Sequence, residues 1–148
     1  MQLRLPLVFL CIISCAFSAE RPNVPAIRLN PAAPEFAQQL IRKGRVVSDR
    51  KGAWAGHRPS RDQENEFIRL YGFPEYAKWH LGIDERHAMN SKARYKFPYG
   101  DFESIHRCGL LAVKSRAREY QYDDIESAAA DLLGMINSRT PRSQKRVD

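Results

Sequence analysis

Apolar residues recur at helical spacing in several stretches of the chain. From Asp123 to Ile136, the side chains of Ile125, Ala128, Ala129, Leu132 and Ile136 share one face, behind an Asp123 cap with Glu126 in the first turn. Upstream, Glu103–Tyr120 projects Ile105, Gly109, Leu110, Ala112, Val113, Ala117 and Tyr120 onto a broad apolar arc, with Cys108 at its edge. His106 and Arg116 fall inside that arc and need partners there. A joint of about three residues makes the two helices an expected antiparallel pair.

Three shorter helices are predicted before them. One starts at Pro34, buries Phe36, Leu40 and Ile41, and stops at Gly44. Another opens on Ser60 with Gln63 in capping-box register, buries Phe67, Ile68 and Tyr71, and ends at Gly72. Phe73, Tyr76, Ala77, His80 and Leu81 then repeat at helical spacing up to Gly82. Arg45–Ser48 is β-prone and Asp49–Gly52 is turn-like, so a short hairpin near 45–54 is possible. Asp84–Arg94 is polar and loop-like. The expected fold is therefore mainly α: a small, all-helical domain with a C-terminal helical hairpin.

The ends differ from this body. Leu5–Phe17 is almost wholly apolar behind Arg4, too short to span a bilayer comfortably, and fits a secretory signal peptide over 1–19, cleaved after Ser18 or Ala19. Two alternatives are a lipobox-like Ile12–Cys15, with lipid anchoring through Cys15, and a buried core helix. Residues 20–33 read as a Pro-rich spacer, 34–138 as one helical domain, and 139–148 as a basic disordered tail. The expected location is extracellular, with no transmembrane segment once the leader is removed.

Charge follows the same division. The whole chain of 148 residues carries +7, yet 59–138 holds eleven Lys/Arg against thirteen Asp/Glu. The basic excess lies in the flanks, which suits salt-sensitive contact with an acidic surface and makes nucleic acid an unfavoured partner. Arg107, Lys114 and Arg118 share a helix face that can touch phosphates, but a solvated face is the simpler reading.

Chemistry-bearing residues are sparse. His80, Asp84 and His87 stand at i, i+4 and i+7, all of zinc-ligating type, although Gly82 interrupts them. Cys108 is the one cysteine outside the leader and is read as a buried thiol or an interchain partner. On a single helix His106 diverges from Cys108 by about 200° and cannot bond it. His57, His80 or His87 could still reach Cys108 through the fold. Arg116 is expected to pair with Asp101, Asp123 or Asp131. Tyr95, Phe97, Tyr99 and Phe102 crowd one turn around Pro98 and Gly100 and must dock on something. No phosphate loop, G-x-S-x-G, H-E-x-x-H or paired-Cys motif occurs, and no cofactor is implied.

The segments EFAQQLIRKGR, HRPS…ENEFI, EYAKWHLGID, KARYKFPYGDF, IHRCGLLAVKSRA and DIESAAADLLGMI resemble a family of small uncharacterised bacterial proteins over about 31–136. Residues 96–133 are more loosely similar to a helical module of phage-associated proteins. The resemblance implies no activity or catalytic residue; family members generally look leaderless, so the leader suggests a module re-addressed outward. The expectation is a secreted interaction, accessory or toxin-like effector protein with an unidentified protein partner. The alternatives are a small enzyme using His80, Asp84, His87, His106 or Cys108, and a polyanion binder using Arg107, Lys114, Arg118 and the tail.

Overall fold

The computed structural model describes residues 26–139. The predicted leader, the lipobox-like Cys15 and all of the basic tail beyond Arg139 lie outside these residues. The chain runs β1 (Ile27–Leu29), α1 (Ala32–Arg42), β2 (Val46–Val47), α2 (Trp54–His57), α3 (Arg61–Ala77), β3 (His80–Asp84), β4 (Tyr95–Pro98), β5 (Ile105–His106), α4 (Arg107–Glu119) and α5 (Asp123–Arg139). The fold is thus mixed α/β, and the expectation of an all-α domain is overturned.

Two helix boundaries follow from local chemistry. Ser60 accepts the Gln63 amide while the Gln63 side chain accepts the Ser60 amide, so the capping box opens α3. Gly44 ends the α1 turn with φ +73°, where a side chain would be strained. Gly72 marks a kink inside α3 rather than its end, and Pro74 sits just beyond. Buried Ala33, Ala37, Leu40 and Ile41 form one face of α1, and α4 packs along α5 through Leu110, Val113, Ala117, Ile125, Ala129 and Leu132.

The segment 80–84 departs most from its sequence pattern. It is the central strand of an antiparallel sheet ordered β1-β3-β4, with Gly82 opposite Leu29 on one side and Lys96 on the other. A Cβ on Gly82 would come within 2.7 Å of Phe97 and 3.0 Å of Ile27. Leu81, fully buried, belongs to the core shared with α1, α4 and α5. Neighbours on both edges hold the segment extended, which a periodicity read along one strand cannot detect. Part of the proposed spacer is structured for the same reason: β1 pairs with β3, and buried Asn30 donates to the Ala77 and His80 carbonyls at 2.8 and 3.0 Å.

The hairpin near 45–54 does not form. β2 pairs in parallel with β5 instead, Val46 opposite Ile105 and Val47 opposite His106, and residues 54–57 are a helical turn. The predicted long helix begins only at Arg107, because Ile105 and His106 are taken up by this ladder. Parallel pairing sends both chains off the same sheet edge, so the residues after β2 meet the first turn of α4. Among the described residues no helix is long and apolar enough to cross a membrane.

Candidate metal centre

At that edge the register continues past the strands. Asp49 lies two residues beyond Val47 and Cys108 two beyond His106, and the Cys108 amide donates to Asp49 Oδ1 at 2.6 Å. This amide is one of the donors that the first turn of a helix leaves without an intrahelical acceptor, and His106 at the N-cap makes no side-chain cap bond. Asp49 therefore caps α4 from another segment of the chain.

The other oxygen of Asp49 collects three donors. His57 Nδ1 and His106 Nδ1 each lie 2.7 Å from Oδ2, and Cys108 Sγ lies at 2.9 Å. Sγ is also 3.7 Å from His57 Nδ1. One ligand atom from each of the four residues lies within 4.8 Å of all the others. His57 arrives by way of the turn through Gly52, at φ +90°, and the short α2. Trp54 of α2 lies against His106 with ring centroids 6.0 Å apart, and it reaches α4 only because position 109 is glycine. A Cβ there would sit 3.0 Å from the Trp54 ring and 2.9 Å from the Tyr99 carbonyl.

Behind His106 stands Asp101. Its Oδ1 accepts the Glu103 and Ser104 amides at 2.9 and 2.7 Å, and its Oδ2 lies 3.1 Å from His106 Nε2. The loop amides fix the carboxylate, and the carboxylate fixes the imidazole ring with Nδ1 turned to the cluster. This carboxylate–histidine arrangement is the support that metal-ligating histidines ordinarily have.

Electrostatics separate the roles. Burial and the adjacent Asp49 carboxylate push the Cys108 thiol up to about 12. Burial works against the charged form of Asp49, but bonds from the Cys108 thiol, His106, the Cys108 amide and His57 outweigh it and hold the carboxyl well below its usual range. Burial also opposes charge on His106, yet Asp49 and Asp101 together raise its pKa. A thiol nucleophile needs the opposite environment, with cations lowering the thiol pKa and the acid placed behind the histidine. Here the acid sits against the sulfur, and Cys108 is 1% exposed. What the arrangement suits is a cation shared by four donors.

The zinc set expected from the sequence, His80, Asp84 and His87, lies elsewhere. His80 and Asp84 occupy opposite ends of β3, about 13 Å apart at the rise of a strand. His80 is buried with Nδ1 2.9 Å from the Tyr76 carbonyl, and burial lowers its pKa to about 4. Asp84 is gripped by the Arg86 guanidinium at 2.8 and 2.9 Å, and the exposed His87 reaches it only at 3.6 Å. Arg116 meets none of Asp101, Asp123 and Asp131; it is exposed, 3.4 Å from Glu119, and lies over the Tyr120 ring. Arg107 is half-buried with its guanidinium 3.5 Å from the Asp49 carbonyl, Lys114 is half-buried, and Arg118 is exposed.

The aromatic turn docks inward. Tyr99 is fully buried and donates to the Lys78 carbonyl at 2.6 Å, Phe102 stacks on Phe67 at 4.2 Å, and Tyr95 donates to the Met89 carbonyl at 2.6 Å. Phe97 meets Tyr122 edge-on at 5.9 Å.

Asp49 carries no sequence pattern that singles it out; of the three histidines expected to be able to reach Cys108 through the fold, His57 is the one placed against it, Nδ1 3.7 Å from Sγ. The available signal was H-x-C at 106–108 at a strand–helix junction. Placing both residues on one helix obscured it.

Fold and site together define a small α/β protein with a carboxylate–imidazole–thiol cluster at the edge of a parallel strand pair. No family model, curated protein or solved structure matches the chain.

Proposed function

We propose that this chain is a zinc-binding accessory protein in which Asp49, His57, His106 and Cys108 chelate one Zn2+. The observation that carries this reading is the convergence of four donor atoms within 4.8 Å of one another. Zinc takes carboxylate oxygen, imidazole nitrogen and thiolate sulfur at about 2.0–2.3 Å, which sets donor–donor edges of roughly 3.3–3.8 Å in a tetrahedron. The Sγ–Nδ1 separation of 3.7 Å already has that length. The contacts of 2.7–2.9 Å to Asp49 Oδ2 are held by protons, and a cation in their place opens them by less than about 1 Å. The mixture of soft sulfur and borderline nitrogen favours zinc over magnesium or calcium.

Four protein donors leave no position for a reactive water, so the ion braces rather than reacts. It ties the loop after β2, the short α2 and the start of α4 into one corner. On this reading the exported, non-catalytic interaction role expected from the sequence is exercised by a surface that zinc organises. The small-enzyme alternative is disfavoured by the acid placed against the thiol, and a nucleic-acid role gains no support from Arg107, whose guanidinium is turned to the Asp49 carbonyl.

The test is metal uptake by the full chain after stripping with chelator. Calorimetry should give one zinc per chain, and Co2+ should give a thiolate charge-transfer band with tetrahedral d–d absorption. Both should be lost in Cys108→Ser and His106→Gln and retained in His80→Gln. Absent stoichiometric uptake, or uptake indifferent to Cys108 and His106, would overturn the reading.

A further inference from the structure

Trp54 also borders a second concavity. A groove of about 590 Å3 runs beside α4, bounded by Trp54, Arg58, Lys96, Phe97, Arg116 and Tyr122. That size suits a small organic molecule. Its charge is one-sided: three cations and no carboxylate line it. Other concavities differ, the one over Phe67 setting Asp62, Glu66, Asp101 and Glu103 beside Arg45, and the one by β1 carrying Asp123 and Asp124.

The three cations are poorly compensated. Among the described residues neither Arg58 nor Lys96 makes a side-chain ion pair or hydrogen bond, and Arg116 has only the exposed Glu119 at 3.4 Å. Like charges along a partly apolar wall repel one another, and an anion relieves that repulsion more than water does.

The remaining wall is aromatic. Phe97 meets Tyr122 edge-on at 5.9 Å, Tyr122 stacks with Tyr120 at 6.3 Å, and Tyr120 is 51% exposed. Phe97 holds φ +62°, unfavourable for a side-chain-bearing residue, and its ring fills the space that glycine at 82 leaves open. Flat rings flanked by guanidinium and ammonium groups complement a flat body that carries negative charge.

We propose that this groove binds a small organic anion, with an aromatic or similarly flat apolar body on Trp54, Phe97 and Tyr122 and a carboxylate, sulfonate or phosphate group against Arg58, Lys96 and Arg116. None of the four proposed metal donors lines the groove, and the proposal is tested without metal.

The probe is 1-anilinonaphthalene-8-sulfonate, titrated by fluorescence into the chelator-treated full chain, with the neutral N-phenyl-1-naphthylamine alongside. One saturable anion site per chain is expected. Arg116→Glu and Lys96→Glu should each weaken the sulfonate about tenfold or more, which is about 1.4 kcal/mol, and change the neutral probe less than about twofold. Arg118→Glu, outside the groove lining, should leave both within about twofold. On the unmutated chain, naphthalene-2-sulfonate should displace the probe and naphthalene-2-methanol should not, which keeps the proposal testable if a charge reversal misfolds. Non-saturating binding, equal weakening by Arg118→Glu, or displacement by the neutral alcohol as readily as by the sulfonate would overturn it.

Discussion

Zinc uptake by this site must expel protons, and their number follows from the geometry. The Cys108 thiol, pushed up to about 12, is deprotonated at pH 7 in only about one molecule in 10⁵. Ligation as thiolate therefore releases one proton. His106 turns Nδ1 to Asp49 and Nε2 to Asp101, so both nitrogens face carboxylates and the charged form is favoured. Ligation through Nδ1 replaces the first contact and releases up to one more.

The expected total at pH 7 is between about one and two protons, so apparent affinity should rise between about tenfold and a hundredfold per pH unit near neutrality. Raising the thiol from 9.0 to about 12 also withholds about 4 kcal/mol from chelation. Set against the roughly 10–16 kcal/mol of small structural zinc sites, this leaves dissociation constants in the range from about 40 µM down to about 1 nM. Calorimetry at pH 7 in buffers of different ionisation enthalpy reads the proton count as a slope. A zero slope, or a Cys108→Ser variant that still binds zinc and releases as many protons as the native chain, would refute the reasoning.

Other consequences can be checked with simpler means. Asp101→Asn keeps the size of the side chain but removes the charge that orients His106, and should cost about 10–100-fold in zinc affinity without abolishing uptake. In the metal-stripped protein the raised pKa of His106 contributes stability that is fully present below its unfolded value of about 6.5 and lost as pH rises through the folded value. Buried His80, lowered to about 4, works in the opposite sense over the same range, so the His106 contribution is read by difference: the urea-midpoint loss in His106→Gln should be larger at pH 5 than at pH 8, and an equal loss at both would remove His106 from the account. Gly109→Ala places a methyl group against the Trp54 ring and the Tyr99 carbonyl and should destabilise the fold by about 1–3 kcal/mol in thermal melts. Cys108 in the metal-stripped chain should be alkylated about 50-fold more slowly than free cysteine at pH 7, the thiolate fraction falling about 10³-fold and its nucleophilicity recovering about 20-fold; Asp49→Asn should speed it, and a midpoint at or below 8.5 would revive the nucleophile reading.

Local sequence determined the helices because their signals are local. The Ser60–Gln63 capping box, the stop at Gly44 and the apolar faces of α1 and α5 are set by contacts within a few residues, and the structure carries each of them. The pairing of α4 with α5 follows from their short joint. Tertiary structure decided the strands. Phe73, Tyr76, Ala77, His80 and Leu81 have helical spacing, but β1 and β4 flank 80–84, and glycine at 82 alone admits Phe97 and Ile27 on one face. Two hydrogen-bonded edges outweigh a weak local preference.

The cluster lay furthest from view. Asp49 and Cys108 are separated by 59 positions and meet only because β2 and β5 run parallel in one register. Periodicity reports what lies one or two turns away along a chain. A ladder joins residues by hydrogen bonds between distant segments, and the point where four donors converge is a property of that pairing.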